Sequence, residues 1–306
     1  MTTRLLRTAT AAALLLGAAA CSSSGSGDPL AAPSTSAPAA GSGKTVVIGS
    51  ANFPENVLLA SIYSQALKAK GVKVEEKFNI GSREVLYGQL KSGALTVLPE
   101  YNGALLGYLD AKNPALTGGT EAVNGALATK LPAELALLDS AAAQDNDSLT
   151  VSQETATKLN LKSIADLAGK SAELVIGGPP EFKNRSEPLL KDNYGLTFKE
   201  WKPTGETTAN ALKDGSIQVG NVFTTDPKIV TLKLVTLTDP KNIFSTQNVT
   251  PLVNKAGVDA TATAALNKVS AKLDTNGLTE LMKRVAVDKE DPATVAKDWL
   301  KTNGLI

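Results

Sequence analysis

The sequence predicts an α/β protein built as two related lobes. Three observations carry this. Short β-branched runs alternate with amphipathic helical stretches from Lys44 onward, the 306 residues exceed one average domain, and two parts of the chain repeat each other in order.

Val46-Val47-Ile48 reads as the first strand. Glu55 to Lys70 reads as a helix, because Leu59, Tyr63 and Leu67 recur four apart on one face, and Val72 to Phe78 reads as the second strand. Near the C-terminus Asp291 supplies an N-cap, Pro292 occupies the first turn, and Asn303-Gly304 closes the helix. The repeat is laid over this pattern. Leu90-Lys91-Ser92-Gly93-Ala94-Leu95-Thr96-Val97 matches Leu212-Lys213-Asp214-Gly215-Ser216-Ile217-Gln218-Val219, and Gly71 to Lys77 echoes Gly195 to Trp201. Val47-Ile48-Gly49 echoes Val175-Ile176-Gly177, and Phe53-Pro54-Glu55-Asn56 echoes Phe182-Lys183-Asn184-Arg185. The spacing between partners shrinks steadily along the chain, as two β-α-β-α-β units with slightly different loops require.

The repeat places Phe53 and Tyr101 at strand ends of one unit, and Phe182 and Phe223 at the equivalent ends of the other. Open α/β sheets bind ligands beyond the carboxyl ends of their strands, where helix N-termini also point. Facing lobes would enclose a cleft with aromatic walls. Polar neighbours Asn56, Asn102, Arg185, Thr224 and Thr225 favour a cleft position for Tyr101 and Phe223, since core positions avoid such groups. Phe53 and Phe182 fit either a wall or a core, and Trp201 and Trp299 read as packing.

Composition narrows the function. Charged residues at 20% and apolar residues at 42% are ordinary for a globular protein, and beyond the first thirty residues no apolar run is long enough to span a bilayer. There is no histidine, and the one cysteine is Cys21, so the commonest general base, thiol nucleophile and transition-metal ligands are missing. Glu75 and Glu76, adjacent in a strand, point to opposite faces, and Asp145 with Asp147 lacks a supporting constellation. Gly177-Gly178-Pro179-Pro180 has neither the Lys nor the Ser/Thr of a phosphate loop. No enzyme, cofactor or metal site is expected.

At the N-terminus Arg4 and Arg7 precede an uncharged run from Thr8 to Ala20, the layout of a secretory signal over residues 1–20. The run ends in Ala18-Ala19-Ala20-Cys21, a pattern that resembles a bacterial lipobox with Cys21 as the lipidated residue. Residues 21–43, rich in Ser, Gly, Ala and Pro, read as a flexible tether. Loss of Arg4 and Arg7 leaves 29 basic against 30 acidic residues, which argues against nucleic acid as a partner.

Four segments now make the chain recognisable: Gly49-Ser50-Ala51-Asn52-Phe53-Pro54-Glu55-Asn56, Lys77-Phe78-Asn79-Ile80-Gly81-Ser82, Pro99-Glu100-Tyr101-Asn102-Gly103-Ala104 and Phe223-Thr224-Thr225-Asp226. Together they resemble the substrate-binding proteins of osmoprotectant ABC importers, the receptors of glycine betaine, choline and proline betaine. The resemblance implies a bilobal type II periplasmic-binding-protein fold, a lipid-anchored extracytoplasmic monomer, and delivery of ligand to ABC permease subunits. It also implies that Tyr101 and Phe223 are cage aromatics, with Arg185 in the carboxylate-binding region. Asn56 falls where relatives often carry Gln. Three departures stand out: relatives usually read Pro-Glu-Tyr-Thr-Gly-Thr where this chain has Asn102 and Ala104, a family tyrosine is replaced by Phe223, and Asp147 follows Asn146 where many carry an aromatic.

The expected ligand set is therefore Tyr101, Phe223, Asn56, Asn102, Asp147, Arg185, Phe53, Thr224 and Thr225. Tyr101→Ala is expected to remove most affinity and leave the fold intact. Lobe one is expected over 44–147 plus 249–306 and lobe two over 148–248. The alternative is a receptor or sensor lipoprotein of the same fold that takes a neutral polyol or phenolic ligand.

Overall fold

The computed structural model describes residues 44–306, so the expected signal segment, Cys21 and the tether to residue 43 lie outside the described residues. Strand β1 (Val46–Ala51) leads into α1 (Pro54–Ala69), β2 (Val74–Gly81), α2 (Arg83–Lys91), β3 (Val97–Tyr101), α3 (Asn102–Leu109), α4 (Gly119–Lys130) and β4 (Leu135–Leu137). The second series runs β5 (Leu149–Ser152), α5 (Gln153–Leu159), β6 (Val175–Gly178), α6 (Pro180–Tyr194), β7 (Glu200–Pro203), α7 (Thr208–Lys213), β8 (Val219–Asn221), α8 (Lys228–Thr231) and β9 (Leu234–Thr236). The chain then returns through β10 (Val249–Asn254) and ends in α9 (Ala260–Ser270), α10 (Thr275–Met282) and α11 (Pro292–Thr302).

Two five-stranded sheets result, ordered β2-β1-β3-β10-β4 and β7-β6-β8-β5-β9. The orders superimpose strand for strand, and in each the fourth member is a strand that has crossed over and runs antiparallel. The sequence repeat is thus a structural one. Ile48 pairs with Val97 in the first sheet, and their repeat partners Ile176 and Val219 pair in the second. Even a side-chain detail recurs: Thr96 Oγ1 accepts from the Val47 amide at 3.1 Å, and its repeat partner Gln218 accepts from the Val175 amide at 3.1 Å.

Glycines explain why the repeated words survived. Gly71 and Gly195, and likewise Gly93 and Gly215, hold left-handed φ values of 76°, 68°, 80° and 79° in the turns that end equivalent helices, a region other residues avoid. A Cβ on Gly49 would fall 2.7 Å from Leu95, and one on Gly177 would fall 2.6 Å from Ile217, the repeat partner of Leu95. At both places a residue just before the neighbouring strand packs directly on the glycine, so an added side chain would have to push it aside.

Two expected elements shift at their edges. Val72 is spent on closing α1, its amide donating to the Leu67 carbonyl at 3.2 Å, so β2 begins at Val74 and runs on to Gly81. As the outermost strand of its sheet, β2 leaves both Glu75 and Glu76 exposed, and Glu76 pairs with Lys68 at 2.6 Å on the solvated side. Helix α1 is buried on more than the one face marked by Leu59, Tyr63 and Leu67. Leu58 and Ile62 are also fully enclosed, because α9 and α11 pack over it with Leu266, Val295 and Leu300. The second sheet has its own core, centred on Ile176, Phe182, Leu190 and Val219.

The crossovers lie side by side. Asp145 N donates to Gln247 O, Val249 N to Ala143 O and Ala141 N to Val249 O, at 3.1, 3.0 and 2.8 Å. Side chains tighten the pair: Asn146 Oδ1 accepts from the Gln247 amide at 2.8 Å, and Asn146 Nδ2 donates to Gln144 Oε1 at 2.7 Å. Such a double-stranded link lets two lobes rock as bodies without unthreading.

Candidate functional site

Each lobe carries a recess at the carboxyl ends of its parallel strands. On lobe one a cavity of about 170 Å³ is lined by Asn52, Phe53, Ser82, Arg83, Glu100 and Tyr101, among others. On lobe two a smaller one of about 90 Å³ is lined by Pro179, Thr208, Asn221, Phe223 and Asp226, among others. The first lies where β1 and β3 end, the second where β6 and β8 end, so the repeat generates two matching half-sites.

The aromatic wall of lobe one is a pair. Phe53 and Tyr101 stack with centroids 6.2 Å apart and planes 29° off parallel. Phe53 is 39% exposed, whereas Tyr101 is 7% exposed and belongs to the core as well as to the recess. On lobe two Phe223 is 52% exposed. Phe182, equally compatible with a wall from its sequence position, is core: it is fully buried against Trp201 and Phe244.

Several expected ligand residues are spent on the protein itself. Asn56 accepts from the Ala51 amide at 2.7 Å and donates to the Pro99 carbonyl at 3.0 Å, pinning the ends of β1 and β3 together. Asn102 is fully buried; its Oδ1 accepts from the Gly103 and Asn248 amides and its Nδ2 donates to Asn124. The Asn that replaces a family Thr thus anchors the returning crossover rather than facing the cleft. Thr224 donates to Gln144 O at 2.7 Å and accepts from the Asn146 amide at 2.9 Å, and Thr225 donates to Asp145 Oδ1 at 2.7 Å. Both threonines fasten lobe two to the first crossover. Asp147 and Arg185 do meet, at 2.6 Å, with Asn221 also donating to Asp147 at 3.0 Å and the guanidinium 5.8 Å from the Phe182 ring centre.

Sequence reasoning passed over the residues that complete the recess of lobe one. Arg83, the first residue of α2, makes a two-pronged bond to Glu100, Nε to Oε1 at 2.6 Å and Nη2 to Oε2 at 3.0 Å. Glu100 Oε2 also accepts from the Tyr101 amide at 2.6 Å. The signal for Arg83 was topological: it opens the helix that follows the second strand, at the same end of the sheet as Phe53 and Tyr101. Glu55 was quoted in a repeated word and given no role. Its Oε1 accepts from Tyr101 Oη at 2.6 Å. Burial, reinforced by the charge of Asp145, pushes the Glu55 carboxyl up to about 8, against the opposing bonds from Tyr101 and Thr225. Asp145 is raised as well, chiefly by burial, with the Thr225 bonds pulling the other way and Asp147 and Asp226 adding repulsion. Burial and the Glu55 charge hold the Tyr101 phenol far above its ordinary range, so it stays a donor.

Two sheets of matching order, two laced crossovers and a recess on each lobe at the strand ends define a bilobal solute-binding protein of type II. The chain belongs to the family described as the substrate binding domain of ABC-type glycine betaine transport systems, whose profile matches residues 44–302. It is 30% identical over 281 residues to the glycine betaine-binding protein YehZ of Escherichia coli, covering 85% of this chain and 90% of that one. A glycine-betaine-binding protein of Pseudomonas aeruginosa is 27% identical over 284 residues, 86% of this chain and 89% of the relative. Among solved structures, a glycine betaine/carnitine/choline ABC transporter protein shares the fold with a TM-score of 0.77 at 22% identity, covering 85% of this chain and 99% of the other. Both of these curated relatives are named as glycine betaine-binding proteins. Among the described residues, no helix is long and apolar enough to cross a membrane.

Proposed function

We propose that this protein is the extracytoplasmic receptor of an ABC importer and captures a small quaternary ammonium compound, of the glycine betaine or choline type, between its lobes. One observation carries the reading: the partly exposed rings of Phe53 and Phe223 stand one on each strand-end recess, with Tyr101 backing the first, in a chain whose aromatic content is only 4%. A quaternary ammonium donates no hydrogen bond, so a receptor must hold it by aromatic faces, each worth about 0.5–2 kcal/mol. Charge agrees. Arg83 and Arg185 are each matched to a carboxylate, and Glu55 and Asp145 add carboxyl groups beside the wall. The chain acts as a binding protein and not as an enzyme. It works as a monomer held at the membrane by lipid on Cys21 through the 21–43 tether, and it hands its ligand to permease subunits.

The test is a titration calorimetry series with glycine betaine, choline, carnitine and neutral polyols, on wild type and Phe223→Ala. Saturable heat with a quaternary ammonium, weakened about 2- to 30-fold by Phe223→Ala with an unchanged melting temperature, is the expected result. Heat with polyols alone would replace this cargo by a neutral one.

A further inference from the structure

Behind the aromatic wall lies a carboxyl group that no ligand can touch. Glu55 sits in the first turn of α1, is 4% exposed, and receives the Tyr101 hydroxyl at 2.6 Å. The Tyr101 ring that stacks on Phe53 and lines the recess is therefore wired at its far end to an ionisable group. Around Glu55, β3 contributes Tyr101, the first crossover contributes Asp145, and the loop after β8 contributes Thr225. Asp147 and Asp226 act on Asp145 in turn. The groups acting on Glu55 and Asp145 are acids, and the cation that lines the recess, Arg83, is matched by its two-pronged bond to Glu100, so the surroundings press Glu55 towards its neutral form until a further cation arrives.

We infer that Glu55 is the residue that sets the charge preference of the site: when a quaternary ammonium settles on the Tyr101–Phe53 wall, Glu55 gives its proton to solvent and becomes the buried counter-charge. The inference rests on the cleft being a quaternary ammonium site, as proposed above. A cation on the ring face lies on the order of 7 Å from the carboxyl, where attraction at the effective dielectric of a protein is equivalent to about a 50-fold change in an equilibrium constant. The helix N-terminus beside Glu55 favours the same ionised form. A ligand that brings its own carboxylate offsets part of this gain, so choline profits more than glycine betaine.

The sign of the linkage is fixed. If the bound cation lowers the affinity of Glu55 for its proton, ligand affinity must rise with pH below the range in which the free carboxyl titrates, by at most tenfold per unit for one proton, and flatten above it. Choline and glycine betaine are titrated into the full chain from pH 6 to 9.5 in buffers of contrasting ionisation enthalpy. The expected result is choline affinity that climbs about 50-fold and then levels, with up to one proton released as read from the buffer dependence of the heat. Glu55→Gln, similar in shape, should bind choline at the weak low-pH level with no proton release. Asp145→Asn should retain a release, because the pair titrates together but the ligand faces Tyr101. Choline binding that is flat with pH, or unaltered in Glu55→Gln, overturns this role alone. Release that persists in Glu55→Gln and vanishes in Asp145→Asn overturns it too, by moving the proton to Asp145. If neither ammonium compound binds at any pH, the reading of the cleft falls, and this inference with it. The proton count on wild type needs no variant, so a misfolded Glu55→Gln leaves the test standing.

Discussion

Tyr101→Ala is expected to lower the unfolding free energy by about 3–5 kcal/mol, as large aromatic truncations in cores do. From sequence, the same substitution is expected to remove most affinity and leave the fold intact. The structure argues for a stability cost as well, because the ring is 7% exposed, belongs to the core cluster of the first sheet, and gives its hydroxyl to Glu55. Two losses combine: a cavity at the end of β3, and a buried carboxyl without its donor. Thermal unfolding should show a drop of about 6–20 °C, given roughly 2–4 °C per kcal/mol for a chain of this size class. Tyr101→Phe separates the contributions. It keeps the ring and the wall, costs about 1–3 kcal/mol for the orphaned carboxyl, and should still bind a quaternary ammonium. A Tyr101→Ala protein that melts with wild type would show that the ring does not belong to the core.

Raising pH should weaken the ligand-free fold through Glu55. In the unfolded chain this carboxyl titrates at its ordinary value of 4.5, and in the folded protein at about 8. Between those limits the native state holds the extra proton, so its stabilising share is complete below pH 4.5 and is lost as pH rises to about 8. The ceiling on this effect is about 5 kcal/mol, and Asp145 shifts in the same direction and shares it. Carboxylates such as Glu76, lowered by its Lys68 and Ser64 bonds against the effect of burial, pull the other way in acid. The measurement that isolates Glu55 is therefore a difference: urea unfolding of wild type and Glu55→Gln from pH 5 to 9. The gap between the curves should widen in favour of Glu55→Gln as pH rises, and a constant gap would contradict the assignment.

Much of the fold was legible because it was written twice. The Lys-x-Gly words at Lys91 and Lys213 mark the same helix-ending turn in both lobes, and Ile48 and Ile176 pair with strands that themselves repeat. The repeat located the aromatic strand ends but not which ring of each pair is exposed: Phe53 and Phe223 are partly in water, while their repeat partners Phe182 and Tyr101 are buried. Single-residue roles were harder, because an amide or hydroxyl at a strand end looks alike whether it binds ligand or backbone. Asn56 turns inward to join the ends of β1 and β3, and Asn102 to satisfy an amide of the returning crossover, demands that only the assembled sheet and crossover create. Arg83 and Glu100 escaped notice because their partnership spans two elements, and Glu55 because its chemistry comes from burial rather than from a motif.

On the function proposed above, the aromatic walls hold a positive charge and not merely a bulky head. Choline and 3,3-dimethylbutan-1-ol have nearly the same shape, with carbon in place of the charged nitrogen. Titrated side by side into the full chain, choline should bind at least about tenfold more tightly, since the isostere gains neither cation–π attraction nor the carboxyl groups behind the wall. Equal affinity for the two would mean that the recesses of Phe53, Tyr101 and Phe223 read shape alone, and the account of the site would be wrong.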